Sequence, residues 1–391
     1  MVPPDFDADE RLTALVDHLQ RVGALMDDRW RDAFLRTPRH LFVPDPIWVR
    51  DGARGDGWMI PVGRSDPYWW ENAYADFALP TQVDDGAPAG DDGRGRYPTS
   101  SISQPSLVAR MLEALEVTAG TRVLEIGTAT GYNAALLCAR LGAEYVTTVE
   151  VDAVLAEQGR TSLRAAGWKP TVVCGDGARG VPSEAPFDRV LATVAAKQIP
   201  YAWVDQTRPG GMIVAPWGND FMTTVLLRLE VRQDGVATGR PTGDAPFMWL
   251  RDQRTAKGLW SDFIDFDAPV RTSRTGVDPH VVVERGSGVE FTVGATVPRL
   301  CRAWFDAEDD SGEATLWLYD TKGSWASVDY APRVDGHRVE QAGPRSLWDE
   351  VEVAVAWWFR AGRPDRERFG LTVAPSGQQV WLDEPGNAVR S

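Results

Sequence analysis

The stretch AGTRVLEIGTATGYN, residues 119–133, constrains the fold of this chain more than any other segment. An apolar run beginning at Arg122 predicts a buried strand, and the run NAALLCARL predicts a helix. Between them lies a loop with two glycines, residues 127–131. Glycine lets the backbone turn tightly and lets a ligand come close. A strand, a glycine-containing loop and a helix in this order predict the start of a nucleotide-binding unit.

Two acidic residues suggest which nucleotide the loop binds. Glu125 precedes the loop, and Glu150 ends the next predicted strand, about twenty residues later, where a βαβ unit places its ribose-binding carboxylate. The pattern Glu-x-Gly-x-Ala-x-Gly differs from the GxGxxG of dinucleotide sites, and it favours S-adenosyl-L-methionine, which has no pyrophosphate. An ordinary strand-to-helix turn is the alternative. Ala129 replaces the usual middle glycine, and a negative φ would accommodate its methyl group.

Strands and helices alternate after this loop as far as residue 256. This alternation predicts an α/β fold, a doubly wound Rossmann-like domain whose parallel sheet carries helices on both faces. Ligands of such sheets bind at the carboxyl ends of the strands. Asp176 and Thr193 also follow predicted strands, so we expect them near Glu150.

The chain divides into three predicted parts. Residues 1–98 contain N-terminal helices and a long irregular insert, and we assign them to the catalytic domain. Residues 99–256 form the methyltransferase core. Residues 257–391 are predicted to be an accessory α+β domain that recognises the substrate. In this last part we expect strands over residues 281–295, 314–330 and 369–385 and a single helix over residues 346–362.

Composition excludes several classes of function. The 391 residues are 43% hydrophobic and 25% charged, with a net charge of −15. Because a duplex-binding surface is normally basic, we expect no nucleic-acid partner. The apolar runs are too short to span a membrane. Three scattered cysteines and four dispersed histidines form no spaced cluster, so we expect no metal site, no disulfide framework and a cytoplasmic location.

Several segments together resemble the protein-L-isoaspartate O-methyltransferase family. They are PRHLFVP, AYADFALPT, SISQPSLVARM, VLEIGTATGYNAA, CGDG, APFDRVLATVA and RPGGMIVAPWG. The resemblance spans roughly residues 20–255. It implies a carboxyl O-methyltransferase that uses S-adenosyl-L-methionine, releases S-adenosyl-L-homocysteine and acts on an aspartyl or isoaspartyl residue of a peptide or protein.

Two departures from the minimal enzyme bear on the substrate, namely the insert near residues 48–98 and the C-terminal module. This extended form resembles actinobacterial methyltransferases associated with graspetides and lanthipeptides. In that subgroup, methylation of an aspartate in a macrocyclic precursor leads to an aspartimide. The alternative is repair of isoaspartate in damaged proteins. A methyltransferase for a small-molecule acid and a non-catalytic binding module stay open.

The resemblance also assigns roles to residues. Ser103 is the expected active-site serine, although a serine before Pro105 also suits a helix cap. Glu150 is expected to bind the ribose, and Asp176 the adenine amino group, unless it is only a turn residue. The implied cofactor-binding set is Ser101, Gln104, Glu125, Gly127, Thr128, Ala129, Thr130, Gly131, Glu150, Val151, Asp176 and Gly177.

Three further residues are candidates for substrate binding. Arg251 offers a guanidinium that pairs well with a carboxylate, although a surface ion pair explains it equally well. Trp69 and Trp70 lie in a polar insert, where they predict either a peptide-binding platform or part of a core.

Overall fold

The computed structural model describes residues 6–52, 57–88, 90, 93–256 and 258–389. The chain forms two compact units. The first comprises Met1–Val194, Pro200–Ala215 and Glu230–Gly235, and the second comprises Ala195–Ile199, Pro216–Leu229 and Val236–Ser391. The predicted domain boundary at residue 257 lies outside the described residues, and the recognition role of the C-terminal part stays a prediction.

The first unit combines a bundle of N-terminal helices with a parallel sheet. Its helices are α1 (Ala8–Arg21), α2 (Asp28–Leu35), α3 (Pro67–Ala73), α4 (Pro105–Ala114), α5 (Tyr132–Leu141), α6 (Ala153–Ala165) and α7 (Tyr201–Asp205). Its strands are β1 (Ile47–Arg50), β2 (Met59–Val62), β3 (Leu79–Val83), β4 (Pro98–Ile102), β5 (Val123–Ile126), β6 (Val146–Glu150), β7 (Thr171–Cys174), β8 (Phe187–Ala192) and most of β9 (Thr207–Trp217).

The sheet of the first unit has the strand order β7-β6-β5-β8-β9. Each neighbouring pair is parallel. The order reverses between β5 and β8, and a ligand of a doubly wound sheet binds at such a reversal. Every residue of β5 and β6 is buried. The predicted α/β architecture is confirmed, and the sheet positions the loop after β5 at the reversal.

Two antiparallel hairpins complete the first unit. β1 pairs with β2, and β3 pairs with β4. The β3–β4 pair brings Leu79 opposite Ile102, one residue before Ser103. The hairpin therefore leads directly into the predicted active-site serine and into α4.

The second unit is mostly antiparallel. Its elements are β10 (Val225–Val231), β11 (Ala237–Asp244), β12 (Arg271–Thr275), α8 (Pro279–Val283), α9 (Gly288–Thr296), β13 (Cys301–Asp306), β14 (Ala314–Tyr319), β15 (Trp325–Tyr330), β16 (His337–Ala342), α10 (Leu347–Arg360), β17 (Phe369–Ala374) and β18 (Gly377–Leu382). One set of strands has the order β12-β16-β15-β14-β13, and another has the order β18-β17-β11-β10. α10, predicted from the sequence, contacts β14, β15 and β16.

The strand prediction for residues 281–295 is wrong, because residues 281–283 belong to helix α8, residues 288–295 belong to helix α9, and residues 284–287 connect the two. Ser287 caps α9 by accepting a hydrogen bond from the Glu290 amide. The helix is buried nearly all round, so its apolar residues show no one-sided helical pattern. A Cβ on Gly288 would lie 1.8 Å from the Pro364 carbonyl oxygen, which shows how closely the helix packs.

Candidate functional site

The carboxyl ends of four parallel strands bring the predicted cofactor residues to one edge of the sheet. The Gly127 amide donates to the Val149 carbonyl oxygen (2.9 Å), and the Thr193 amide donates to that of Ile126 (2.9 Å). The Gly175 amide donates to the Glu150 carbonyl oxygen (2.8 Å). These bonds continue the hydrogen-bond pairing of the strands into the loops that follow them. Gly127, Glu150 and Thr193 therefore lie at one edge of the sheet, as predicted.

The loop after β5 turns through left-handed backbone conformations. Gly127 has a φ of +101°, and Gly131 has a φ of +86°. A Cβ on Gly127 would lie 2.7 Å from the Thr193 hydroxyl oxygen, and one on Gly131 would lie 3.0 Å from the Gly159 carbonyl oxygen. Both positions therefore require glycine. Ala129 does not have the negative φ that would accommodate its methyl group without strain, because its φ is +43°.

Glu150 holds this loop through its side chain. One carboxylate oxygen accepts from the Ala129 amide at 2.9 Å, and the other accepts from the Asp152 amide at 3.1 Å. The side chain is buried at the end of β6. The bond to Ala129 stabilises the strained backbone at that residue. Since a carboxylate offers about four acceptor positions, each oxygen can accept a further hydrogen bond.

Glu125 is the centre of a buried polar network that sequence reasoning did not resolve. It is fully buried and accepts from the side-chain NH2 group of Asn133 and from the Thr148 hydroxyl, each at 2.6 Å. The Thr148 hydroxyl also lies 2.7 Å from that of Thr128 in the loop. Burial raises the pKa of Glu125 to about 7, against the two donors that lower it. The network joins β5, β6 and the loop, so Glu125 stabilises the loop through the side chains that contact it.

Asp176 and Gly177 follow β7. The Asp176 carboxylate accepts from the Ala178 amide at 2.9 Å, as a turn residue does, and its other oxygen lies 3.6 Å from the exposed Arg179 guanidinium. A Cβ on Gly177 would lie 2.6 Å from a methyl group of Ile126. Gly177 is thus required for packing against β5. Val151, next to Glu150, is 42% exposed.

The predicted active-site serine lies between β4 and α4. Ser103 is half-buried, as is Ser101 in β4. The cap position of α4 is Gln104, whose side chain bonds to the Ser106 hydroxyl (3.0 Å) rather than to the helix backbone. The α4 amide of Ser106 donates instead to the Asp76 carboxylate at 2.8 Å. Ser103 therefore does not cap the helix, and its hydroxyl makes no hydrogen bond within the described residues.

A fully buried guanidinium holds the backbone around Ser103. Arg39 is 0% exposed, and both terminal nitrogens donate only to backbone carbonyl groups. The Nη1 acceptors are Asn72 (3.3 Å), Ala73 (2.9 Å) and Ala75 (3.4 Å), and the Nη2 acceptors are Phe77 (3.0 Å) and Ser103 (3.2 Å). Burial lowers the pKa of Arg39 to about 10, so it stays charged at neutral pH. Its sequence motif, PRHLFVP, gives no sign of this burial.

The platform interpretation of Trp69 and Trp70 is wrong. Trp69 is 0% exposed and Trp70 is 6% exposed, so neither presents a face to a peptide. Their indole N–H groups donate to the carbonyl oxygens of Pro44 and Arg64. Both rings belong to the core, as the alternative held. Arg251 lies in a short helix of the second unit, Arg251–Gln253, and its substrate role stays a prediction.

Comparison with known proteins identifies the family. A model of the family Protein-L-isoaspartate(D-aspartate) O-methyltransferase matches residues 64–255. The protein-L-isoaspartate O-methyltransferase of Hyperthermus butylicus is 32% identical over 246 residues, which cover 60% of this chain and 86% of the relative. That of Thermococcus onnurineus is 33% identical, covering 62% and 94%. The chain belongs to the protein-L-isoaspartate O-methyltransferase family.

A solved structure of a protein-L-isoaspartate O-methyltransferase has the same fold. It aligns with 95% of this chain and 100% of its own length, at 23% identity and a TM-score of 0.54. The predicted fold class and the predicted cofactor, S-adenosyl-L-methionine, are confirmed. The residues fit this cofactor, since the buried Glu150 carboxylate and the Asp176 carboxylate end neighbouring strands and keep acceptor positions.

Two structural features are absent from the described residues. No group of three or more histidine, cysteine, aspartate or glutamate side chains there is arranged to hold a metal ion. No helix in that part of the chain is long and apolar enough to cross a membrane.

Proposed function

We propose that this protein transfers a methyl group from S-adenosyl-L-methionine to the side-chain carboxylate of an aspartyl or isoaspartyl residue in a peptide or protein. The observation that carries the proposal is Ser103. Its backbone is fixed by the buried Arg39, its hydroxyl is not used as a helix cap, and it lies in the unit that contains the cofactor loop. Membership of the family supports the same reaction.

The reaction needs positioning rather than a general base. A carboxyl group with a pKa near 4 is already ionised at neutral pH and can attack the methyl carbon directly. The bound cofactor supplies that methyl group as an electrophile on sulfur. We assign to the Ser103 hydroxyl a hydrogen bond to the carboxylate oxygen that does not react, so that the other oxygen faces the methyl group. No proton leaves the protein in this step.

The cofactor roles follow from the edge of the sheet. We assign the ribose hydroxyls to Glu150 and the adenine amino group to Asp176, through the acceptor positions that their backbone bonds do not use. Gly127 and Gly131 allow the loop to turn, and Glu125 stabilises it through the hydrogen bonds of Thr148 and Thr128. Ser101, Gln104, Thr128, Thr130 and Val151 are proposed to line the same site.

The two candidate substrates share this chemistry. For repair, the methyl ester of isoaspartate is attacked by the following amide nitrogen, methanol leaves with the amide proton, and the succinimide hydrolyses in part to aspartate. The curated relatives favour this substrate. For modification of a precursor peptide, which we call tailoring, methylation of a normal aspartate in a macrocyclic precursor and loss of methanol stop at the aspartimide, with a net loss of water.

Tailoring is supported by the part of the chain that the curated relatives leave unmatched. The match to the Hyperthermus relative covers 60% of this chain, and the family model ends at residue 255. However, the solved structure of a protein with the repair enzyme's name aligns with 95% of the chain. The C-terminal extension alone therefore does not decide between the two substrates.

Mass spectrometry of two peptides separates the candidates. One is a linear isoaspartyl peptide, and the other is a cyclised precursor with a normal aspartate from the same genome. Each is incubated with the protein and S-adenosyl-L-methionine, and the same peptide with asparagine at the target position is the control. Methylation of the isoaspartyl peptide alone means repair. A methyl gain followed by net loss of water on the precursor alone means tailoring, and methylation of neither refutes the proposal.

A further inference from the structure

A cavity of about 680 Å³ adjoins the cofactor loop within the first unit. One wall is formed by Ala129 and Thr130 of the loop. A second wall is formed by residues of α6 between Ala153 and Ser162, and a third is the segment of residues 41–44. Thr81 of β3 also lines it. Ala129 and Thr130 are the only residues of the cofactor-binding set that line this cavity, and neither Glu150 nor Asp176 lines it, so it extends the site beyond the ribose and adenine contacts.

The lining is largely apolar and partly open to solvent. Phe42, Val43 and Leu155 are buried behind the surface. Leu41 and Val154 are 47% and 63% exposed, although both are large apolar residues. A ligand with an apolar side chain would remove this surface from water, which is the main favourable contribution in most protein–peptide contacts.

The charges near the cavity do not favour an anionic ligand. Arg64 donates to the carbonyl oxygens of His40 (3.2 Å) and Val43 (3.1 Å), and its guanidinium lies 4.5 Å from the centre of the Trp69 ring. The Arg64 guanidinium therefore already interacts with carbonyl groups and an aromatic ring of the protein. Glu157, at the α6 wall, is paired with Arg160. An acidic side chain in the cavity would meet this glutamate without a cation directed at it.

The cavity adjoins the β3–β4 hairpin, which leads to Ser103. The Thr81 hydroxyl donates to that of Ser100 at 3.2 Å, and Ser100 precedes Ser103 by three residues of nearly extended chain. At about 3.3–3.6 Å per residue, three residues span at most roughly 11 Å. An extended peptide whose target residue is at Ser103 therefore reaches the cavity within about four or five residues.

We propose that this cavity binds an aromatic or aliphatic side chain of the peptide substrate, within about five residues of the methylated residue. The inference rests on the proposed function, since it names a specificity pocket for the same reaction. It makes Leu41 and Val154 specificity-determining residues.

A scan of substrate peptides tests the pocket. Isoaspartyl peptides with glycine at all flanking positions are compared with peptides in which phenylalanine, leucine or glutamate replaces one glycine at a time. We expect kcat/KM to rise about tenfold for phenylalanine or leucine at one or two positions, and not for glutamate. If kcat/KM is the same at every position, the inference is overturned.

Matched variants locate the effect in this cavity. Val154→Asp and Leu41→Asp should remove the preference for phenylalanine while leaving kcat/KM on the all-glycine peptide and the cofactor Kd unchanged. The control is Val353→Asp, because Val353 is also helical and also 63% exposed but belongs to α10 of the second unit. It should keep the preference. A preference that persists in both cavity variants, or a weakened cofactor Kd in them, overturns the inference.

The all-glycine peptide separates this inference from the function on which it rests. Methylation of that peptide without any positional preference refutes the pocket and leaves the proposed reaction standing. If neither it nor the substituted isoaspartyl peptides nor the cyclised aspartate precursor is methylated, the proposed reaction is refuted, and the pocket with it.

Discussion

Replacing Arg39 by lysine tests whether one buried side chain organises the active-site segment. The two terminal nitrogens of Arg39 contact five carbonyl groups, and the shortest bonds go to Ala73 (2.9 Å), Phe77 (3.0 Å) and Ser103 (3.2 Å). A lysine has a single nitrogen, so it can replace either Nη1 or Nη2 but not both. At least two of these carbonyl groups, which are buried or partly buried, then lose their donor.

The magnitude follows from those lost partners. An unsatisfied buried polar group costs about 1–3 kcal/mol, so two cost at most about 2–6 kcal/mol. That is a large part of the roughly 5–15 kcal/mol that stabilises a typical domain. We also expect kcat to fall with little change in the cofactor Kd at temperatures where Arg39→Lys stays folded, because Ser103 loses its anchor while the cofactor loop keeps its contacts.

Urea denaturation and steady-state kinetics measure the two effects. The control is Arg29→Lys, because Arg29 is an exposed arginine paired with Asp27. It should change the free energy of unfolding by no more than about 0.5 kcal/mol. If the free energy of unfolding of Arg39→Lys is within about 0.5 kcal/mol of the wild-type value, the hydrogen bonds from Arg39 to the carbonyl groups do not stabilise the fold. If the variant loses stability but keeps its kcat, these hydrogen bonds do not position Ser103.

Three further predictions concern the cofactor loop. Burial raises the pKa of Glu125 from its ordinary value of 4.5 to about 7, so the folded protein favours the protonated form. The stability that this form contributes is fully present below pH 4.5 and is lost as the pH rises through 7. Glu125→Gln should remove that loss, and denaturation of both proteins between pH 5 and pH 8 checks whether their difference depends on pH. Glu150→Lys should raise the cofactor Kd by about tenfold or more, measured by calorimetry beside an exposed control, Glu157→Lys; an unchanged Kd rejects the ribose assignment. Ala129→Gly should stabilise the protein by up to about 1 kcal/mol, because glycine has no penalty at a φ of +43°, and a loss of stability on thermal denaturation would contradict this.

Local sequence patterns were sufficient to predict the fold of the α/β part of the chain. The alternation of buried strands and helices predicted the sheet, and the rule that parallel strands end at one edge placed Gly127 and Glu150 together. The same reasoning failed for α9, because a helix that is buried nearly all round shows no helical periodicity. It also left open whether Trp69 and Trp70 were exposed, since the pattern around them is polar.

The contacts that hold Ser103 could not be read from the sequence. Arg39 and Ser103 are 64 residues apart, and Asp76 and Ser106 are 30 residues apart. No local spacing links such pairs, and an arginine is normally expected at the surface. The conformation of Ala129 is a similar case, because its positive φ depends on the hydrogen bond from its amide to Glu150.

Single-turnover methyl transfer to a linear isoaspartyl peptide and to a cyclised aspartate-containing precursor, by the wild type and by Ser103→Ala, tests the central claim most directly. The cofactor Kd of each protein is measured in parallel. We predict that the wild type methylates one of these peptides, and that Ser103→Ala binds the cofactor with the same Kd but transfers the methyl group about 10²–10³-fold more slowly. If Ser103→Ala transfers it at the wild-type rate, Ser103 does not position the carboxylate, and the assignment of the active site is wrong.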